Sequence, residues 1–174
     1  MKFTKIGLEG PRIVELCPVS DSRGFFSRQF CVDEFIAEGL NPTIMQFNTS
    51  YCEKKGTLRG LHFQVEPYGE IKFLRCIAGE IVDFIVDVRP DSVTYLQSYS
   101  IVLSSKNRLA IYVPVGFAHG YMSLTDHAEV LYTSSQKYIP GFEKGIRWND
   151  PSIKLVLPFA PTIVSEKDLS HPNI

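Results

Sequence analysis

The sequence is divided into many short runs of strand-forming residues, and this spacing most constrains the fold. The runs rich in β-branched and aromatic residues span Arg12–Cys17, Thr43–Cys52, Ile71–Ala78, Glu80–Arg89, Thr94–Leu103, Arg108–Val113, Phe117–Leu124 and Glu129–Ser134. Turn-forming residues separate them at short intervals, among them Gly79, Pro90-Asp91 and Pro114–Gly116. Many short strands with regular turn signals indicate an all-β sandwich or barrel.

One short helix is predicted in the N-terminal third of the chain, over Val32–Glu38. Asp33 and Glu34 suit its first turn, and Gly39 suits its C-terminal end. The chain has 174 residues, 44% of them hydrophobic, with no repeat, linker or low-complexity segment. We therefore expect residues 1–174 to form one domain with a sizeable core.

Charge and cysteine usage exclude several classes of function. The formal net charge is −1 and no basic run exceeds Lys54-Lys55, which argues against a nucleic-acid surface. The N-terminal MKFTKIGLEG has no apolar signal core, and no stretch approaches the length of a membrane span. The scattered cysteines show no CxxC spacing and are expected to be reduced. We expect a cytoplasmic protein that binds neither nucleic acid nor membrane.

The stretch Gly56–Gln64, GTLRGLHFQ, places a cation and an imidazole in an apolar strand pattern. Strict alternation would put Arg59 and His62 on opposite faces. A bulge or bend at Gly60 would bring both to one side, since glycine permits it. The stretch therefore predicts a kinked strand that aims both side chains at one cavity. The alternative is a half-exposed strand whose Arg and His reach water.

The run Glu80–Arg89 alternates apolar residues with a second face that carries Asp83 and Asp87. This pattern predicts a sheet packed on one side and polar or cavity-lining on the other. Asp87 with Arg89 is interpreted as a structural turn. Asp83 lies deeper in the run and is the better cavity candidate.

Two further groups of polar side chains share a strand face. Gln46, Asn48 and Ser50 alternate onto one side, where they are either solvated or line a pocket. Tyr132 and Tyr138 have the same parity if their strand is continuous, so both hydroxyls could face one cavity. The competing interpretation is that buried tyrosines only satisfy a backbone partner.

The histidine pattern bears on whether the chain holds a metal ion. His119 lies in a PxGxxH pattern typical of cupin barrels, whose metal-binding members carry an HxH pair. Here Phe63 and Gln64 follow His62, so the HxH pair is missing. His127 and His171 lie in charged surroundings that predict exposure. Two histidines without a third ligand predict no metal, and we expect no cofactor.

Taken together, these motifs resemble the dTDP-4-dehydrorhamnose 3,5-epimerases, metal-free cupins of nucleotide-sugar metabolism. The resemblance runs in order through RGFF, QFNTS, GTLRGLHFQ, PVGFAHGY, EVLY, WNDP and SEKD, and covers nearly the whole chain. It implies a cupin-type jelly-roll β-barrel. It also implies a homodimer, because the family pairs its N-terminal strands across two subunits.

The resemblance implies a cofactor-free reaction that inverts C3 and/or C5 of a nucleoside-diphosphate 4-keto-6-deoxyhexose. Such a reaction needs a base on one face, a proton donor on the other and stabilisation of an enolate oxygen. By resemblance His62 is the base, Asp168 orients it, Tyr132 is the acid and Lys72 faces the oxyanion. The implied substrate contacts are Arg23, Phe26, Gln46, Asn48, Arg59, His119, Tyr138, Glu143 and Lys167.

Two departures from the family pattern bear on the substrate. Arg28 stands where the family commonly has a Glu that helps bind thymine, and Glu70 stands where it usually has Gln. Thymine presents a ring N–H donor, whereas cytosine presents an acceptor, and a guanidinium has donors only. Our hypothesis is that Arg28 shifts the base preference towards a CDP-sugar; otherwise it faces solvent or a phosphate.

Two alternative functions remain open on the sequence. The first is a 5-epimerase of a CDP-4-keto-3,6-dideoxyhexose, whose sugar has no stereocentre at C3 to invert. The second is a non-catalytic cupin that only binds a nucleotide sugar. The presence of His62, Tyr132 and Asp168 together argues against the second.

Overall fold

The computed structural model describes residues 1–174, and most of its regular structure is β-strand. The strands, in chain order, are β1 (Lys2–Lys5), β2 (Arg12–Glu15), β3 (Val19–Asp21), β4 (Gly24–Phe26), β5 (Gln46–Cys52), β6 (Thr57–Gln64), β7 (Lys72–Ala78), β8 (Glu80–Asp87), β9 (Ser98–Ser104), β10 (Leu109–Val113), β11 (Phe117–Ser123), β12 (Ala128–Ser134), β13 (Glu143–Gly145) and β14 (Ile163–Val164). The helices are α1 (Val32–Ala37) and α2 (Glu166–Leu169). The predicted all-β class is confirmed, and α1 is the predicted helix. No helix is both long enough and apolar enough to cross a membrane.

The strands form two facing sheets. The first sheet has the order β1-β2-β10-β7-β12-β5, and the second has the order β13-β6-β11-β8-β9. Strand β14 adds to the second sheet in parallel beside β6. Strands β3 and β4 form a separate hairpin, in which every residue is exposed.

Apolar side chains fill the space between the sheets and also cover the outer face of the second sheet. The inner cluster includes Leu74, Ile85 and Ile111. The outer cluster includes Phe84 and Met122, against which the C-terminal third of the chain packs. Consequently β8 is buried on both faces, and the predicted polar face is not found. The C-terminal segment covers the outer face of β8, and the residues of β8 alone do not indicate this cover.

Asp87 organises the turn that follows β8, as the sequence predicted. Its Oδ2 accepts hydrogen bonds from Arg89 Nη2, Ser92 Oγ and Thr94 Oγ1, each at 2.6 Å. This turn explains why the predicted strand Thr94–Leu103 begins only at Ser98. Burial alone would raise the pKa of Asp87, but the hydrogen bonds from Arg89, Ser92 and Thr94 outweigh it and lower that pKa to about 2.

We expect Asp87→Asn to destabilise the protein by about 2 kcal/mol at neutral pH, because a group with a lowered pKa stabilises the fold while it is ionised. That contribution is present above the unfolded carboxyl pKa and is lost as the pH falls towards 2. Urea unfolding of both proteins at pH 7 and pH 3 measures it. The difference between them should narrow at pH 3, and an unchanged difference would contradict the ionic origin.

Candidate active site

One cavity of 550 Å³ lies between the two sheets and collects most of the predicted site residues. The predicted residues that line it are Gln46, Asn48, Arg59, His62, Lys72, His119, Tyr132, Tyr138, Glu143, Lys167 and Asp168. Ser50 also lines it, so the polar face of β5 is directed at this cavity. Residues far apart in sequence therefore meet in one polar site.

The kink predicted at Gly60 is present. His62 pairs with His119 and Arg59 pairs with Tyr121, so three steps along β6 match two along β11. This irregularity turns Arg59 and His62 to the same cavity, as the sequence predicted. Gly60 has a φ of +112°, and a Cβ there would lie 2.7 Å from the carbonyl oxygen of His119. Only glycine fits this close approach of two backbones without strain.

His62 and Asp168 form a hydrogen-bonded pair on one wall of the cavity. His62 Nε2 lies 2.7 Å from Asp168 Oδ1, and the Gly60 N–H donates to Asp168 Oδ2 at 3.0 Å. Asp168 is 4% exposed, and Ser165 caps the short helix α2 that carries it. With Nε2 directed at the carboxylate, Nδ1 is the ring nitrogen left to accept a proton. This nitrogen lies 3.9 Å from Glu143 Oε1.

The environment of Asp168 keeps its carboxylate ionised. Burial would raise the pKa of Asp168, but hydrogen bonds from His62 and from the Gly60 N–H outweigh it, so the pKa is lowered. An ionised carboxylate holds the imidazole in one tautomer and stabilises the imidazolium that forms when the ring takes a proton. The pair therefore has the arrangement of a general base and the group that orients it.

Tyr132 and Lys72 line the same cavity from the opposite sheet. Tyr132 lies on β12 and Lys72 on β7, whereas His62 lies on β6 of the second sheet. Burial, and then the negative charge of Glu70, raise the pKa of Tyr132, while Arg59 opposes the shift. The phenol is therefore protonated at neutral pH and can donate. Strand β12 ends at Ser134, so Tyr138 reaches the cavity from the following loop and not from a continuous strand.

Glu70 forms part of this wall. Its Oε1 lies 3.0 Å from Lys72 Nζ, and its Oε2 accepts a hydrogen bond from Ser134 Oγ at 2.9 Å. The departure from Gln thus places a carboxylate beside the lysine, inside the cavity.

A second histidine–carboxylate pair lies next to the first. His119 Nε2 lies 2.8 Å from Asp83 Oδ2, and Asp83 is fully buried. The sequence favoured Asp83 as a cavity residue, but Asp83 does not line the cavity. It forms a hydrogen bond with His119, and His119 lines the cavity. Burial raises the pKa of Asp83, and the charge of His119 opposes the shift.

Comparison with known proteins decides the family. A family model described as dTDP-4-dehydrorhamnose 3,5-epimerase matches residues 5–174. The chain belongs to the dTDP-4-dehydrorhamnose 3,5-epimerase family. This family consists of isomerases, so the predicted enzyme class is confirmed.

Individual relatives agree with that assignment. The dTDP-4-dehydrorhamnose 3,5-epimerase of Shigella flexneri is 40% identical over 171 residues, covering 98% of this chain and 94% of the relative. A crystal structure of the Bacillus anthracis epimerase with TDP and PPi bound is 34% identical, with a TM-score of 0.96 over 99% of both chains. A 3′-monoepimerase from Streptomyces bikiniensis in complex with dTDP-quinovose is 29% identical, with a TM-score of 0.90 over 97% of this chain and 85% of that chain. The predicted cupin-type jelly roll is confirmed by these structures.

Three predicted contacts of the epimerase do not line the cavity of their own chain. Phe26, on the exposed β3–β4 hairpin, is 74% exposed. Arg23 pairs with Asp21 at 2.7 Å, and Arg28 pairs with Glu34 at 3.0 Å. Within a single chain, these residues are therefore separated from the substrate site that was predicted for them.

His171 is the residue of the site that sequence reasoning missed. The expectation that it is exposed is wrong, because its side chain is only 12% exposed. Its ring packs edge-on against His62, with a centroid separation of 5.2 Å. The C-terminal segment folds back, and the Arg147 N–H donates to Pro172 O at 3.1 Å. Its polar neighbours in sequence gave no signal of this contact, whereas His127 is exposed as predicted.

Proposed function

We propose that this chain inverts C3 and/or C5 of dTDP-4-dehydrorhamnose or a closely similar nucleoside-diphosphate 4-keto-6-deoxyhexose, with His62 as base and Tyr132 as acid. The supporting observation is that an imidazole held by a buried carboxylate and a neutral phenol line one cavity from facing sheets. The names of the relatives support the substrate class. A cytoplasmic location, expected from the sequence, stays a prediction.

The geometry supports a two-sided proton transfer. A ketone at C4 acidifies the hydrogens on C3 and C5, and His62 Nδ1 removes one of them from one face. The electron pair of the broken C–H bond forms an enolate, whose oxygen is stabilised by the Lys72 ammonium. Tyr132 then donates its proton to the same carbon from the opposite face, which inverts the centre. Exchange with solvent returns His62 to the neutral form and Tyr132 to the protonated form.

We propose thymine as the base of the substrate. Arg28 donates to Glu34 Oε1 in its own chain, which weakens the argument for cytosine, and the relatives are named for dTDP-sugars. Binding of dTDP, CDP, UDP and GDP is compared by calorimetry on the wild-type protein. We expect dTDP to bind more than tenfold tighter than CDP, a difference of about 1.4 kcal/mol. Tighter binding of CDP would favour the CDP-4-keto-3,6-dideoxyhexose 5-epimerase instead.

We propose that a second copy of the chain completes the site in a homodimer. The hairpin exposes Val19, Phe25 and Phe26 at 73%, 50% and 74%, and the edge strand β5 exposes Phe47 at 67%. Exposed apolar side chains of this number mark an interaction surface, and an edge strand is open to a partner chain. In the dimer, Arg23 and Phe26 of one copy would contact the substrate in the cavity of the other.

Mixing two inactive variants tests this arrangement. Arg23→Ala lacks the hairpin contact, and His62→Asn lacks the base. In a mixed dimer, one cavity combines an intact His62 with an intact Arg23 from the other copy. We expect the mixture, after subunit exchange, to recover a substantial part of the wild-type rate. Activity no higher than the sum of the two separate variants would show that Arg23 does not act across the dimer.

A further inference from the structure

Three side chains that can bind a metal ion meet at one side of the cavity: His62, Asp168 and His171. Their ligand atoms, two imidazole nitrogens and a carboxylate oxygen, all lie within 4.8 Å of one another. Asp168 Oδ1 lies 2.7 Å from His62 Nε2 and 3.7 Å from His171 Nε2. Two imidazoles and one carboxylate are a ligand set that suits Zn²⁺.

The position of His171 supplies a second, independent observation. Its Nε2 is buried and has no hydrogen-bond partner. The ring packs directly against Gly145, where a Cβ would clash with the ring atoms of His171. The end of the chain is also tied down, since the Ile174 N–H donates to Asp150 Oδ2 at 2.7 Å. A buried polar atom without a partner costs free energy, which a bound cation would offset.

We propose that His62, Asp168 and His171 form an inhibitory site for a transition-metal dication, with Zn²⁺ as the best fit. Tetrahedral zinc with bonds of about 2.0–2.2 Å keeps its ligand atoms about 3.3 Å apart. The His62–Asp168 distance would widen by about 0.6 Å, and the His171–Asp168 distance would narrow by about 0.4 Å. The two imidazole nitrogens, which lie within 4.8 Å of each other, would also have to approach by rotation of the rings.

Binding of the ion would remove the base without filling the cavity. A neutral imidazole has one N–H and one lone pair. Zinc needs the lone pair of His62 Nε2, so the proton that Nε2 shares with Asp168 moves to Nδ1. Nδ1 then has no lone pair with which to accept a proton from a sugar carbon. This effect on activity rests on the proposed role of His62, whereas the affinity for the ion does not.

Zinc chloride is titrated by calorimetry into chelator-treated full-length protein, and epimerisation is followed in parallel. We expect one ion per chain, inhibition of the wild type, and recovery of activity on adding EDTA. Inhibition is expressed for the wild type and for His171→Gln as a fraction of each protein's own zinc-free rate, because His171 packs against His62 and its replacement changes the surroundings of the base. The same variant should weaken both zinc binding and inhibition by at least about tenfold, since one ligand is lost.

Cysteine binding is the main competing explanation, since Cys17 is exposed and Cys31 is half-buried. The double variant Cys17→Ser/Cys31→Ser should therefore remain inhibited. Mg²⁺, which prefers oxygen ligands, should not inhibit. Co²⁺ bound to the wild type should show visible bands of a tetrahedral site without a thiolate charge-transfer band, a readout that holds even if His171→Gln fails to fold.

Equal inhibition of the wild type and His171→Gln, or loss of inhibition in the cysteine variant, would overturn the proposal. So would a wild-type chain that takes up no zinc. A zinc-free wild type without epimerase activity would instead contradict the proposed function. The calorimetric result on the metal site would stand in that case, so the two failures are distinguishable.

Discussion

Replacing His62 by asparagine is expected to lower kcat by about 10²–10⁴-fold, the usual contribution of a positioned base. The amide retains a polar side chain near Asp168 but cannot take a proton from carbon. In deuterated water, the wild type should incorporate deuterium at the inverted centre, and His62→Asn should not. Affinity for dTDP should change little, because the nucleotide is joined to C1 of the sugar and not to the carbons that react. NMR of the sugar and calorimetry with dTDP measure both effects.

A matched control is His127→Asn. His127 is exposed, does not line the cavity and contacts the Tyr51 hydroxyl. This variant should exchange deuterium at the wild-type rate. Exchange that persists unchanged in His62→Asn would exclude His62 as the base. A wild type that binds dTDP but exchanges no deuterium into any 4-keto sugar would favour the non-catalytic cupin.

Tyr132→Phe is expected to separate deprotonation from inversion. The change removes only the phenol oxygen, so His62 and Asp168 keep their positions and the carbon acid can still be deprotonated. Without a donor on the opposite face, the proton returns from the His62 side with retention of configuration. We expect the rate of epimerised product to fall by about 10²–10⁴-fold. Deuterium should still enter C3 or C5 of the unchanged sugar.

The control for Tyr132→Phe is Tyr95→Phe, a partly exposed tyrosine outside the cavity. Its product rate and its exchange should match the wild type. If Tyr132→Phe loses exchange together with inversion, the phenol acts before or during deprotonation, and the assignment of separate faces fails. If base and acid lie on opposite walls, His62→Asn loses deuterium exchange and Tyr132→Phe keeps it.

The local pattern of the sequence was sufficient for α1, the kink in β6 and most of the longer strands, but not for the short strands β1, β3, β4, β13 and β14. The alternation of side chains between the two faces of a strand depends only on neighbouring residues. Such alternation, and the glycines that interrupt it, can therefore be identified from the sequence. The match of Arg59-Gly60-Leu61-His62 to a bulged strand is such a local inference. Catalytic candidates such as Tyr132 came from motif resemblance, and the cavity is consistent with them because each motif lies on a strand that faces the same interior.

The tertiary structure alone decided which distant side chains meet. Asp168 lies 106 positions after His62, and the meeting of the two depends on how α2 packs beside β6. The same packing largely buries His171, whereas the separate β3–β4 hairpin leaves Phe26 exposed. Polar or charged sequence neighbours predict that a side chain is exposed, but this holds only where no other part of the chain packs on that segment. A C-terminal segment that folds back, or a hairpin that projects, changes a side chain's surroundings through long-range contacts that no local pattern encodes.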